Sequence, residues 1–329
     1  QRRARGAPSV GDPRPGAPRA DPPHGVRRGR SWQVLPPVPK VALRLTCAIL
    51  ADDGGRPRAG QDRVDQSRAR VARAFMAETE TTDDALLGGR LRIRQPARGY
   101  RVNVDTLLLA ASLPPFRARR DRTRVAEPCC GVAAALLAAA ISYDRVGEVE
   151  FVGIEREPVY AALARENVQR NGQAHRACII EAGALDPQAD FGVFDCVFFN
   201  PPYDTVGEGR PPRDDRRAAY VSEQPVAEWI KVWSNRMTAR ASMTLIHRAH
   251  RLSEILAALD GRLGGVEVFP IRPAATAKAH RVIVRAWKGS RAPLTLFAGL
   301  DLHPDGASGD KYTPQADAIL RGEARIQFG

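Results

Sequence analysis

From Leu86 to Trp287 the chain alternates short apolar runs with segments of helical spacing. In Arg90-Leu91-Arg92-Ile93-Arg94, apolar and basic residues alternate, which predicts a strand with one wet, cationic face. Asp105 opens a Leu-rich helix that Pro114 and Pro115 end. The pattern then predicts strands at Arg124 to Glu127, within Glu148 to Glu155, at Ala177 to Glu181 and in the apolar run from Val193 to Phe199. Between them lie a helix at Val132 to Ile141 and a second that Pro158 opens and Asn171-Gly172 closes. Downstream come a strand at Ala241 to Ile246, a helix at Leu252 to Leu259, and an antiparallel pair at Gly264 to Phe269 and Arg281 to Trp287. Such alternation argues for an α/β fold with a mostly parallel sheet wrapped by helices.

The chemistry is expected at the strand tips, where open α/β sheets bind ligands. Directly after the run ending at Phe199 stands Asn200-Pro201-Pro202-Tyr203. The Asn200 side-chain oxygen and the Pro201 carbonyl can accept hydrogen bonds from an exocyclic amine, the two prolines fix the turn, and Tyr203 offers a stacking face. The bland alternative is a strand ending in a plain Pro-Pro turn. Two acids stand where such a fold binds a nucleoside. Glu155 ends a strand 24 residues after Gly131, a place where a carboxylate takes ribose hydroxyls, and Glu127 ends the preceding strand near a helix amino end. The turn between them, Pro128-Cys129-Cys130-Gly131, has a weak glycine signal. Cys129 reads as a small apolar loop residue or, less simply, a nucleophile.

Charge changes the picture mainly at the start. The net charge is +13, but residues 1–75 hold 16 of the 50 Lys+Arg and 6 of the 37 Asp+Glu, leaving +3 for the remainder. That Arg- and Pro-rich extension cannot bury enough apolar surface to offset its ordering entropy and reads as disordered. The first Met is Met76, which suggests a natural start there and a domain over 76–329, with a substrate-side segment at 84–115 and a catalytic core at 116–329. A basic RNA-binding arm is the functional alternative. No stretch reaches membrane-spanning length. The five cysteines show no zinc-type spacing, and an odd count without a framework fits a reducing cytoplasm. The segment from Asp204 to Gln224 is long for a connection and reads as a disordered stretch or a lid.

The order Glu127 to Gly131, then Glu155, then Asn200 to Tyr203, followed by a terminal strand pair, resembles class I S-adenosylmethionine-dependent methyltransferases. Its tetrapeptide is similar to that of the amino-methylating branch. A closer likeness, over about residues 84–322, is to tRNA (adenine-N6)-methyltransferases acting on valine tRNA. It is carried by Leu86 to Arg90, Gly99-Tyr100-Arg101 with Asp105, Lys288-Gly289-Ser290, Leu302-His303 and Lys311 to Pro314. The resemblance implies a Rossmann-like methyltransferase fold with a seven-stranded, mostly parallel sheet and a terminal antiparallel pair. It also implies S-adenosylmethionine as cofactor, held by Glu127, Cys129, Gly131, Glu155 and Asp105, and tRNA as partner, with catalysis by Asn200, Pro201, Pro202 and Tyr203. Arg92, Arg94, Arg101, Arg213, Lys278 and Arg281 are candidate phosphate contacts, with a solvated face as the plain reading. Direct transfer from a sulfonium needs no metal. The tetrapeptide does not specify RNA, so a protein glutamine or a DNA base stays open as the acceptor. Cys129 and Ala133 replace two of the family's glycines and Gly183 replaces an acid, which leaves a non-catalytic member open too. Asp186 is the nearby substitute for that acid.

Overall fold

A computed structural model describes residues 80–99, 101–116, 122–143, 148–202, 204–205, 221–222, 224–305 and 309–328. The extension at 1–75, Tyr203 and Arg213 lie outside the described residues. A hairpin comes first, of β1 (Thr81–Leu86) and β2 (Leu91–Pro96), followed by α1 (Val104–Ala111). The α/β alternation follows as β3 (Thr123–Pro128), α2 (Ala134–Ser142), β4 (Val149–Glu155), α3 (Pro158–Arg170), β5 (Ala177–Glu181) and β6 (Phe194–Phe199). Two short paired strands, β7 (Asp204–Thr205) and β8 (Val221–Ser222), precede α4 (Val226–Asn235), β9 (Met237–Arg248) and α5 (Leu252–Leu259). The chain closes with β10 (Leu263–Arg272), β11 (Arg281–Lys288), β12 (Thr295–Leu296), β13 (Leu300–Asp301) and α6 (Pro314–Leu320).

The main sheet runs β12-β10-β11-β9-β6-β3-β4-β5, with β13 also on β10. It therefore has nine strands rather than the seven expected, because the two-residue strands β12 and β13 add to the β10 edge. The predicted terminal pair is present: β10 and β11 are antiparallel, as are β11 and β9. The pairs among β5, β4, β3, β6 and β9 are all parallel. Consecutive strands β3, β4 and β5 grow to one side and β6 starts the other, so the order reverses between β3 and β6. Ligands of open sheets bind at such a switch point, outside the carboxyl ends of the strands.

Period-two alternation explains the layers. Val125, Phe151, Cys196 and Phe198 face one core with α1, α2 and α3, whereas Ala126, Val152, Val197 and Phe199 face a second with α4 and α5. Helix α2 is apolar almost throughout and buried over Ala134 to Ala140, as a helix enclosed by sheet and neighbours must be. In the second layer Trp229 stacks on Phe199 and Trp233 on Phe191. No helix among the described residues is long and apolar enough to cross a membrane.

Candidate functional site

Three strand tips converge at the switch point, β4 with Glu155, β3 with Glu127 and β6 with Asn200. The turn after β3 is pinned to β4, with the Cys130 amide donating to the Ile154 carbonyl (3.0 Å) and the Gly131 amide to Glu155 Oε2 (2.9 Å). Glu155 Oε1 accepts from the Glu157 amide at 2.9 Å. Cys130 can lie this low only because β4 has Gly153 beneath it. A Cβ there would stand 2.8 Å from Cys130 Sγ and 2.8 Å from Ile179 Cδ1.

The turn reaches α2 through left-handed backbone at every second residue: Cys129 (φ 56°), Gly131 (φ 56°) and Ala133 (φ 63°). Glycine takes this conformation without penalty, whereas a side chain costs about 1–2 kcal/mol. Cys129 and Ala133, the two departures from the family pattern, thus hold the glycine conformation without being glycine. Gly183 opens a turn in which the Asp186 amide donates to its carbonyl, and Asp186 Oδ1 accepts from the Gln188 amide. Asp186 is exposed, with its carboxylate engaged in that local turn.

Burial pushes the Glu127 carboxyl well above the usual carboxylate range, opposed by the Leu136 amide at the start of α2 and reinforced by the Glu155 charge. Glu127 Oε2 is buried and accepts no hydrogen bond among the described residues. Burial also raises Glu155, but the Glu157 and Gly131 amides hold it back. The Cys129 thiol is pushed up by burial, then by the charges of Glu155 and Glu127. A thiol raised above its ordinary range is a poorer nucleophile, so these surroundings favour reading Cys129 as a loop residue. Its Sγ instead lies 3.6 Å from the Asn200 backbone oxygen, joining the β3 turn to the β6 tip. Asn200 Oδ1 is, like Glu127 Oε2, buried without a partner among the described residues, and Pro201 beside it is buried.

A ligand carrying a cation and hydroxyls fits these tips. One carboxylate oxygen lacks a partner, and the other carboxylate keeps lone pairs beyond the two amides it accepts. An unmet buried acceptor costs about 1–3 kcal/mol, which a donor from a ligand would relieve.

The remaining candidates are placed differently. Asp105, in the first turn of α1 and capped by Asn103, pairs with Arg281 Nε at 3.0 Å, so a cofactor candidate and a phosphate candidate meet each other. Arg94 pairs with Asp83 (3.1 Å) and Glu166 (2.8 Å), and Arg101 with Asp84 (2.7 Å). Arg92 and Lys278 are exposed.

Two residues at the site escaped sequence reasoning. One is Gly153. The other is Asn167 on α3, which is fully buried and whose Nδ2 donates to the Val132 carbonyl at 3.0 Å. An asparagine four residues before the helix-closing Asn171 was the available signal.

Sheet order and strand-tip chemistry together define the fold of the class I methyltransferases. The chain is 29% identical to a predicted O-methyltransferase from Agrobacterium tumefaciens, whose crystal structure aligns over 68% of this chain and 98% of that one with a TM-score of 0.55. It is also similar to the tRNA1(Val) (adenine(37)-N6)-methyltransferase of Actinobacillus succinogenes, with 26% identity over 160 residues. That match covers 48% of this chain and 64% of the relative, less than two thirds of its length. No family model matches the chain.

Proposed function

We propose that the protein transfers a methyl group from S-adenosylmethionine to an exocyclic amine, the N6 amine of an adenine in tRNA. The observation that carries this reading is Asn200 Oδ1, a buried acceptor without a partner among the described residues at the tip of β6, followed by two prolines. The likeness to the Actinobacillus enzyme supports adenine in tRNA as the acceptor.

When bound, the cofactor supplies an electrophilic methyl on sulfur, an excellent leaving group. The chain's own residues then have an alignment task. Asn200 Oδ1 and the Pro201 carbonyl accept the two amine hydrogens, which turns the nitrogen lone pair away from the ring. These acceptors strengthen their hold as the nitrogen becomes positive, so they favour the transition state over the ground state. The proton that the amine sheds on methylation would pass to solvent, so these residues need only hold and orient the nitrogen. Glu127, the acid with an unmet oxygen, would hold the cationic part of the cofactor, and Glu155 its hydroxyls. A base in a tRNA loop can be splayed out for such a reaction at modest cost.

The test is incubation of the purified protein with S-adenosylmethionine and unmodified tRNA, with nucleosides resolved by mass spectrometry. N6-methyladenosine is expected. Methylation confined to DNA, to protein or to a hydroxyl would overturn the reading.

A further inference from the structure

The open edge of β2 meets helix side chains where a third strand would otherwise pair. The Arg94 amide donates to Asn167 Oδ1 (2.8 Å) and Asn167 Nδ2 donates back to the Arg94 carbonyl (2.9 Å). One helical turn on, the Arg92 amide donates to Asn171 Oδ1 (2.9 Å) and Asn171 Nδ2 to the Arg92 carbonyl (2.8 Å). Residues 92 and 94 are two apart on a strand and 167 and 171 four apart on a helix, so both spacings are near 6 Å and the ladders match. The two asparagines differ in one respect. Asn167 is fully buried and its second amide hydrogen reaches the Val132 carbonyl in the turn after β3, whereas Asn171 Nδ2 spends its other hydrogen on the Asn167 carbonyl within α3.

From this we infer that Asn167 is a positioning residue that locks the amino-terminal hairpin to the turn after β3, so that the two order together. This rests on the reading above only in taking that turn as the cofactor's seat. Without Asn167 the Val132 carbonyl loses a buried donor, and the turn already carries two non-glycine residues in left-handed backbone. It therefore depends on outside contacts to keep its shape. Any ligand that orders the turn stabilises the hairpin, and one that binds the hairpin favours the turn by the same factor.

Hydrogen exchange of individual amides tests the lock first without any ligand. Asn167→Ala should speed exchange at Gly131 and Ala133 as well as at Arg94, by about tenfold or more, the scale of a lost buried hydrogen bond. Asn171→Ala should speed exchange at Arg92 and leave the turn near the parental rate. In the parent, the Arg94 and Ala133 amides should share one opening event across a denaturant series, a measurement that stands even if Asn167→Ala does not fold. Unchanged turn exchange in Asn167→Ala, equal effects of the two variants on the turn, or separate openings in the parent would each overturn the lock. S-adenosylmethionine is then added to the parent, where slower exchange at Arg92 and Arg94 is expected. Calorimetry should find cofactor binding about tenfold weaker in Asn167→Ala and within about twofold in Asn171→Ala. If the ligand-free results hold while the cofactor protects neither region, the lock stands and the assignment of the turn to this cofactor falls.

Discussion

The tips of β3 and β6 are neighbours in the sheet, and each ends in a buried side-chain oxygen with no partner among the described residues. On β6 that oxygen belongs to a neutral amide, followed by two prolines that fix the backbone. On β3 it belongs to a carboxyl, followed by a turn that forces Cys129 and Ala133 into glycine's conformation. The difference separates two tasks. A neutral acceptor suits a group that becomes positive only in passing, because it binds the ground state modestly and the transition state better. A carboxyl whose proton affinity is raised by burial suits a resident cation, whose arrival returns the charged form to favour. On the proposed function the sheet would present a rate-setting acceptor and an affinity-setting acid side by side, and Cys129 Sγ joins their tips at the Asn200 carbonyl.

The largest effect expected from breaking this pairing is at Asn200. Loss of one aligned acceptor that strengthens in the transition state costs about a hundredfold to a thousandfold in turnover, by analogy with oxyanion-hole donors. Asn200→Ala should therefore methylate that much more slowly under single turnover at saturating tRNA, while binding S-adenosylmethionine as the parent does. A parental rate would return the tetrapeptide to a structural turn.

Glu127→Gln should do the reverse, weakening cofactor binding by about 1.5–3 kcal/mol, the worth of a hydrogen bond to a charged group, with turnover at saturation nearly kept. Calorimetry measures the first and single-turnover kinetics the second. A Glu127→Gln protein that binds as tightly as the parent would remove the cation from the β3 tip.

The same carboxyl gives a pH signature. Its folded-state pKa lies above the unfolded value near 4.3, so its contribution to stability is present below that value and is lost as pH rises through the raised one. Glu127→Gln stays neutral throughout, and should melt higher than the parent at about pH 8 while differing little at about pH 4. Cofactor affinity runs the other way, because a cation prefers the carboxylate. In the parent it should strengthen with rising pH and flatten once Glu127 is ionised in the free protein. A difference in melting temperature that did not grow with pH would refute the buried-acid reading.

Much of this architecture was legible in the sequence, because β3 to β6 and β9 to β11 carry apolar runs that end in turn residues and α3 has its Pro158 and Gly172. The hairpin's first strand was not. Thr81-Thr82-Asp83-Asp84-Ala85-Leu86 is polar, buries little and is held by pairing with β2 instead of by a core face. Missing that strand meant missing its two acids, and Asp83 and Asp84 are what occupy Arg94 and Arg101. Of the arginines expected to face phosphate, Arg94, Arg101 and Arg281 are engaged in ion pairs at partly exposed positions, and Arg92 is an exposed side chain. Helix α4 also escaped, although Trp229 and Trp233 lie four residues apart on its buried face. At the site, Asn200 and Glu155 were readable from motif and spacing. Asn167 was not, since its role depends on which strand α3 faces.

The smallest effect belongs to Ala133, and it tests whether the turn's shape is imposed from outside. Ala133→Gly removes a left-handed penalty of about 1–2 kcal/mol. It also gives up a buried methyl group worth about 0.8 kcal/mol and adds unfolded-state freedom costing about 0.5–1 kcal/mol. These contributions nearly cancel, so the melting temperature should shift by no more than a few degrees in either direction. Turnover should also stay parental, because the Ala133 methyl group carries no donor or acceptor through which to hold the β6 tip. Cys129→Gly relieves similar strain but severs the link to the Asn200 carbonyl, so its rate should fall while its stability changes as little. Equal rates for the two variants would show that the β3 and β6 tips work independently. A loss of many degrees in Ala133→Gly would show that the alanine itself, and not its surroundings, holds the turn.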